Sequence, residues 1–88
     1  PIRELTPILV VDDEPIIRRV LISHLERDQF VCYEAGSGSE AMTILEHVQV
    51  PLVVSDLRMP NGDGLELLAH IVKKYPTTAV IILTADAD

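Results

Sequence analysis

The 88-residue chain carries fourteen acidic and seven basic side chains, a net charge of −7, and 48% of its residues are hydrophobic. A composition this apolar excludes an intrinsically disordered segment, and the length allows one domain. The negative charge argues against direct binding to nucleic acid or to an anionic membrane surface.

In the first half of the chain, short apolar runs alternate with a longer amphipathic stretch. Residues 8–11 (ILVV) have the continuous apolar character of a strand that is covered on both faces. Pro15 is well placed in the first turn of a helix, on which Arg18 and Arg19 are predicted to face solvent. Residues 30–33 (FVCY) form the second predicted strand. The apolar face of the helix is predicted to comprise Ile17, Val20, Leu21 and Leu25.

The second half repeats this alternation. Ser37 and Glu40 match a capping box at the start of a second helix. Residues 52–55 (LVVS) form the third predicted strand, and the turn-rich segment 59–64 leads into a third helix. Residues 79–83 (AVIIL) form the fourth predicted strand. The apolar face of the third helix is predicted to comprise Leu65, Leu68, Ile71 and Val72.

This order, βαβαβαβ, predicts an α/β fold with an open parallel sheet that is covered by helices on both faces. Ligands of such sheets bind beyond the carboxyl ends of the strands, where the strand order reverses. The residues that directly follow the strands are therefore the candidates for chemistry.

Acidic side chains follow two of these strands. Asp12 and Asp13 come after the first strand, Asp56 after the third, and the hydroxyl of Thr84 after the fourth. If the first and third strands are neighbours, three carboxylates converge and repel one another unless a cation is present, and Mg²⁺ suits such a set of oxygen ligands. Each residue alone has a plainer structural explanation, since acidic residues favour helix starts and turns. Their joint occurrence favours a metal site.

Three segments carry a family resemblance. Residues 9–15 (LVVDDEP), 53–64 (VVSDLRMPNGDG) and 80–85 (VIILTA) together resemble the receiver domain of two-component response regulators. The resemblance covers nearly the whole chain. It implies a flavodoxin-like sheet with strand order 2-1-3-4 and helices on both faces.

The same resemblance implies a role for each candidate residue. Asp56 would accept a phosphoryl group from a sensor histidine kinase, and Thr84 would contact the phosphoryl oxygens. Asp12, Asp13, Asp56 and the backbone carbonyl of Arg58 would bind Mg²⁺. The chain would then be a signalling module that switches an output domain elsewhere in the parent protein, not an enzyme.

Complete receivers have a fifth strand, and residues 1–88 are interpreted as a receiver fragment that lacks it together with the last two helices. Because receivers place a phosphoryl-binding lysine on that strand, we expect phosphoryl transfer by the fragment to be weak. We also expect the exposed fourth strand to mediate dimerisation or strand exchange.

Two other functions are compatible with parts of this sequence. A pseudo-receiver would bind partners without phosphorylation, but its usual sign is the loss of acidic residues that are present in this sequence. An Mg²⁺-dependent phosphatase similar to the haloacid dehalogenases requires a second aspartate two residues after its nucleophile. Glu14 occupies that position relative to Asp12.

The remaining candidates have structural explanations. His24, His47 and His70 lie one per predicted helix without the spacing of metal ligands. The single cysteine, Cys32, is expected to be a small core residue, and it excludes an internal disulfide. No apolar run is long enough to span a bilayer, and we expect a cytoplasmic location.

Overall fold

The computed structural model describes residues 6–60 and 63–83. Within them, four parallel strands are ordered β2-β1-β3-β4, which confirms the predicted fold class and strand order. The elements are β1 (Pro7–Val11), α1 (Pro15–Arg27), β2 (Val31–Ala35), α2 (Gly38–His47), β3 (Leu52–Asp56), α3 (Asp63–Lys74) and β4 (Ala79–Leu83).

The central strand β1 separates two apolar clusters, because alternate side chains of a strand point to opposite faces of the sheet. Leu9 and Val11 belong to the cluster under α2 and α3. Ile8 and Val10 belong to the cluster under α1. All four side chains are buried, which explains why this strand is a continuous apolar run.

Helix α2 begins as the sequence predicts. The Ser37 hydroxyl accepts a hydrogen bond from the Glu40 N–H at 3.1 Å. The Glu40 carboxylate accepts one from the Gly36 N–H at 3.1 Å, one residue earlier than in a standard capping box. Two of the backbone donors around the helix start are thereby satisfied by side chains.

The predicted apolar faces of the other two helices are partly wrong. On α1, Ile17 and Val20 are exposed, and Arg18, predicted to face solvent, keeps only 17% of its side chain accessible. On α3, Leu65 and Val72 are exposed. The inward stripes are Leu21, Ile22 and Leu25 on α1, and Leu67 and Ile71 on α3.

These faces were predicted incorrectly because the spacing of apolar residues indicates a helix but not how the helix is rotated about its own axis. When apolar residues occur on all sides of a helix, the spacing does not show which side faces the sheet. On α3 the rotation follows from Gly64, which abuts the backbone of Leu57. Leu67 and Ile71 lie three and seven residues further on, along the same face of the helix. Leu65 and Val72 therefore point away from the sheet.

At one edge of the described sheet lies β4, which pairs with β3 alone and exposes Ile81. Association of two chains through this edge stays a prediction.

In the described part of the chain, no helix is both long and apolar enough to cross a membrane.

The capping contact of α2 predicts the effect of removing one hydroxyl. Ser37→Ala should lower the free energy of unfolding by about 1 kcal/mol, because the Glu40 N–H loses its acceptor. Urea denaturation followed by circular dichroism measures the change. Glu46→Ala, at an exposed position in the last turn of the same helix, is the control and should have little effect. Equal effects of the two substitutions would contradict the capping role.

Candidate functional site

The strand register brings the predicted carboxylates to one edge of the sheet. Val11, the last residue of β1, pairs with Ser55 of β3, so the residues that follow them, Asp12 and Asp56, leave the sheet side by side. The carboxylate oxygens of Asp12, Asp13 and Asp56 lie within 4.8 Å of one another. Among the described residues, this is the one group of potential ligands that could hold a metal ion.

Asp12 is held at three of its atoms. Its N–H donates to the Ala35 carbonyl at 3.1 Å, which extends the β1–β2 ladder by one residue. Its carboxylate Oδ1 accepts from the Glu14 N–H at 2.9 Å. Its backbone carbonyl accepts from Nη1 of Arg18 at 2.6 Å. The residue is buried with 5% exposure, so its position is fixed by both hydrogen bonds and packing.

Burial and charge also alter the protonation of Asp12. Desolvation raises the pKa of this carboxyl group, while the hydrogen bond from Glu14 lowers it. The negative charges of Asp56 and Asp13 raise the pKa further, and the positive charge of Arg18 lowers it. The net shift is upward, which means that the ionised carboxylate is disfavoured where it lies and that a bound cation would relieve the cost.

Asp56 ends β3 and remains accessible to solvent. Its Oδ1 accepts a hydrogen bond from the Arg58 N–H at 3.1 Å, which restricts rotation of the carboxylate. The next amide, Leu57 N–H, donates to the Leu83 carbonyl at 3.2 Å and ties this loop to the end of β4. The carboxylate is thus both ordered and reachable, as a nucleophile must be.

A close backbone approach supports the loop after Asp56. A Cβ atom on Gly64 would lie 2.5 Å from the Asp56 carbonyl oxygen and closer still to that of Leu57. No side chain fits there without moving backbone. The start of α3 therefore packs directly against Asp56, which carries the third carboxylate of the cluster.

Sequence reasoning missed an ion pair beside the acidic cluster. Nε of Arg18 donates to Oε1 of Glu34 at 2.7 Å, joining α1 to the end of β2. One signal was available: Arg18 lies near the positive N-terminal end of α1, where a basic residue is unfavourable without a partner. The partner could not be read from sequence, because the two residues are 16 positions apart.

The other predicted residues lie in different places. Thr84 falls outside the described residues, so its contact with phosphoryl oxygens stays a prediction. Arg58 is exposed, and the binding of a metal by its carbonyl stays a prediction too. The histidines are on three different helices, as expected from their spacing.

Cys32 is only partly buried on β2, not fully enclosed in the core. Desolvation raises the pKa of its thiol, and the negative charge of Glu26 raises it further.

A cavity of about 610 Å³ lies at the opposite end of the sheet from the acidic cluster, between residues 48–51 and 75–78. The acidic cluster does not line it. The candidate site is thus an open group of side chains at the carboxyl edge, where ligands of parallel sheets bind.

Comparison with known proteins identifies the family and the fold. Residues 8–88 match the family described as the response regulator receiver domain. The transcriptional regulatory protein GlrR of Escherichia coli is 42% identical over 78 residues, which are 89% of this chain and 18% of GlrR. The chain therefore spans less than a fifth of the length of this relative.

Two solved structures include molecules that bear on the site. The response regulator protein TrrA of Thermotoga maritima, in complex with Mg²⁺-BeF, has 37% identity and a TM-score of 0.89, covering 94% of this chain and 72% of TrrA. A structure of the histidine kinase ThkA in complex with TrrA aligns with a TM-score of 0.87 at 37% identity, covering 96% of this chain and 72% of that chain.

The contact at Gly64 predicts that even a methyl group is not tolerated. Gly64→Ala should lower the free energy of unfolding by about 1–3 kcal/mol, because the new Cβ displaces backbone. Helix propensity alone would predict the opposite sign. Urea denaturation measures the change. Gly36→Ala is the control, because its nearest neighbour would be the Arg18 side chain at 3.4 Å. A neutral or stabilising Gly64→Ala would overturn the close-approach argument.

The raised pKa of Asp12 predicts a dependence of stability on pH. Since the folded state binds this proton more tightly than the unfolded state, the ionised carboxylate destabilises the metal-free fold at neutral pH. The penalty is relieved as the pH falls through the folded-state pKa. Asp12→Asn should therefore be more stable than the wild type at pH 7 in EDTA, and the difference should shrink on acidification.

Urea denaturation at a series of pH values measures this difference. Asp28→Asn, at the end of α1 and away from the cluster, is the control. A wild type that is more stable than Asp12→Asn in EDTA at pH 7 would contradict the assigned electrostatics.

Proposed function

The chain belongs to the response regulator receiver domain family, and from this premise we propose that Asp56 accepts the phosphoryl group in an Mg²⁺-dependent reaction. As a receiver domain, the chain is a regulatory phosphoacceptor module. The observation that carries this assignment is the convergence of three carboxylates within 4.8 Å of one another. Among them, Asp56 is accessible to solvent and ends β3, one of the two inner strands of the described sheet.

Asp12, Asp13 and Asp56 would hold the Mg²⁺ ion. Their oxygens are hard donors of the type that Mg²⁺ prefers, and one or two carboxylates with water are its usual ligands. The raised pKa of Asp12 supports this choice, because a buried negative charge without a cation is costly. The complex of TrrA with Mg²⁺-BeF supports it independently. The predicted carbonyl of Arg58 would complete the protein ligands.

The bound ion would neutralise charge as the anionic phosphoryl group approaches the carboxylates. An oxygen of Asp56 would attack the phosphorus atom, and the phosphorus–nitrogen bond of a phosphohistidine would break. The imidazole would leave with the electron pair. The Arg58 N–H, bonded to Oδ1, would keep the carboxylate in one orientation during the attack.

The donor of the phosphoryl group would be a sensor histidine kinase. The complex of ThkA with TrrA supports this type of partner. An output domain elsewhere in the parent protein would respond to phosphorylation, and the kinship with a transcriptional regulatory protein that is much longer than this chain supports that arrangement. Thr84 would sense the phosphoryl group at the end of β4.

Acetyl phosphate provides a direct test, since it can replace a kinase as the phosphoryl donor. With Mg²⁺ present, mass spectrometry of the intact protein should show a species that is heavier by one phosphoryl group, at the low yield that weak transfer gives. Asp56→Asn should abolish the gain, because the amide is not a nucleophile, and EDTA should suppress it. Asp28→Asn, a matched substitution at the exposed residue that follows α1, should leave it unchanged.

The other possible outcomes are distinct. Binding of partners with no mass gain under any condition would indicate a pseudo-receiver. Steady release of phosphate from unrelated phosphate esters would indicate a phosphatase.

A further inference from the structure

We propose that Arg18 is a positioning residue for the metal site: its guanidinium group holds the main chain of Asp12 where the carboxylates of Asp12 and Asp13 can share one divalent cation. This inference rests on the proposed Mg²⁺ site and adds a residue that does not touch the ion. It is carried by the two hydrogen bonds of Arg18 to different parts of the fold.

The guanidinium group joins three elements at the carboxyl edge of the sheet. Arg18 projects from α1, Nη1 donates to the Asp12 carbonyl at the end of β1, and Nε donates to Glu34 on β2. The bonds are 2.6 and 2.7 Å long, short values typical of donors that carry a charge. Gly36 lies beside this group, where a Cβ atom would be 3.4 Å from Nη1, an ordinary van der Waals distance.

Two side-chain hydrogen bonds hold the loop that carries the acidic pair: the Glu14 N–H donates to Asp12 Oδ1, and Arg18 donates to the Asp12 carbonyl. Residues 12–14 connect β1 to α1, and only Asp12 among them is buried. The Arg18 bond fixes the carbonyl of the peptide unit that joins Asp12 to Asp13. Rotation of that peptide unit would move Asp13 relative to Asp12, whose own carboxylate is held by the Glu14 N–H, so the Arg18 contact helps to set the relative position of the two carboxylates.

The arginine performs this role without competing for the carboxylates. Its hydrogen bond goes to the backbone oxygen of Asp12, which leaves the carboxylate oxygens to other partners. Glu34 balances its positive charge at 2.7 Å, which reduces repulsion of an incoming cation. A lysine could not replace it, because its single nitrogen lacks the fork that reaches two acceptors.

Positioning and simple electrostatics predict opposite effects of removing Arg18. As a positive charge near the site, Arg18 repels Mg²⁺, so its loss would strengthen binding if charge alone mattered. If Arg18 positions Asp12 and Asp13, its loss weakens binding although a repulsive charge is gone. The sign of the change in Mg²⁺ affinity therefore separates the two roles.

Isothermal titration of the full chain with MgCl2 at constant ionic strength measures this sign. Arg18→Gln should raise the Kd about tenfold, the lower end of what loss of a group supporting metal ligands costs. Arg18→Lys should recover only part of the loss. Arg19→Gln is the matched control, an exposed neighbour on the same helix, and should leave the Kd within about twofold.

A merely structural role is distinguished by measuring unfolding in EDTA alongside the titration. Lower stability with unchanged Kd in Arg18→Gln, or tighter binding, overturns the inference while the proposed function stands. A wild type that binds no Mg²⁺ overturns the proposed metal site and the inference with it. If Arg18→Gln does not fold, Arg18→Lys replaces it: the lysine keeps the positive charge but lacks the fork, so charge alone would leave the Kd unchanged whereas positioning raises it.

Discussion

Carboxylates that approach within 4.8 Å of one another repel, and this repulsion is the constraint around which the carboxyl edge of the sheet is organised. The parallel register of β1 and β3 imposes the approach, since Val11 and Ser55 are paired and the next residue on each strand is an aspartate. The hydrophobic clusters on both sheet faces supply the free energy that holds the strands in this register. In the folded chain, the electrostatic repulsion among these carboxylates is therefore unfavourable, and a divalent cation bound between them can relieve it.

The sequence predicted the architecture because each strand is a short apolar run between turn residues and helix starts. The fourth strand has the predicted bounds, Ala79–Leu83, and the order β2-β1-β3-β4 is as expected. The convergence of Asp12, Asp13 and Asp56 could also be foreseen, because residues that end neighbouring parallel strands meet at one edge. In these cases a local pattern and a general rule of topology were sufficient.

What could not be predicted depended on contacts between distant elements. The rotation of α3 follows from the approach of Gly64 to the backbone of Leu57, and no hydrophobic pattern on the helix contains that information. The inward position of Arg18 depends on a glutamate 16 residues away and on a backbone carbonyl. A prediction from the spacing of apolar residues places such an arginine in solvent, whereas only 17% of the Arg18 side chain is accessible in the fold.

The helices on opposite faces of the sheet are both tied to the acidic edge. On one face, α1 contacts Asp12 through Arg18 and through the Glu14 N–H that precedes the helix. On the other face, α3 starts against the carbonyl of Asp56. A cation that draws these aspartates together would therefore act on both helix starts at once. Since a ligand that binds only the folded state stabilises it, occupancy of the edge and the stability of the whole domain are thermodynamically linked.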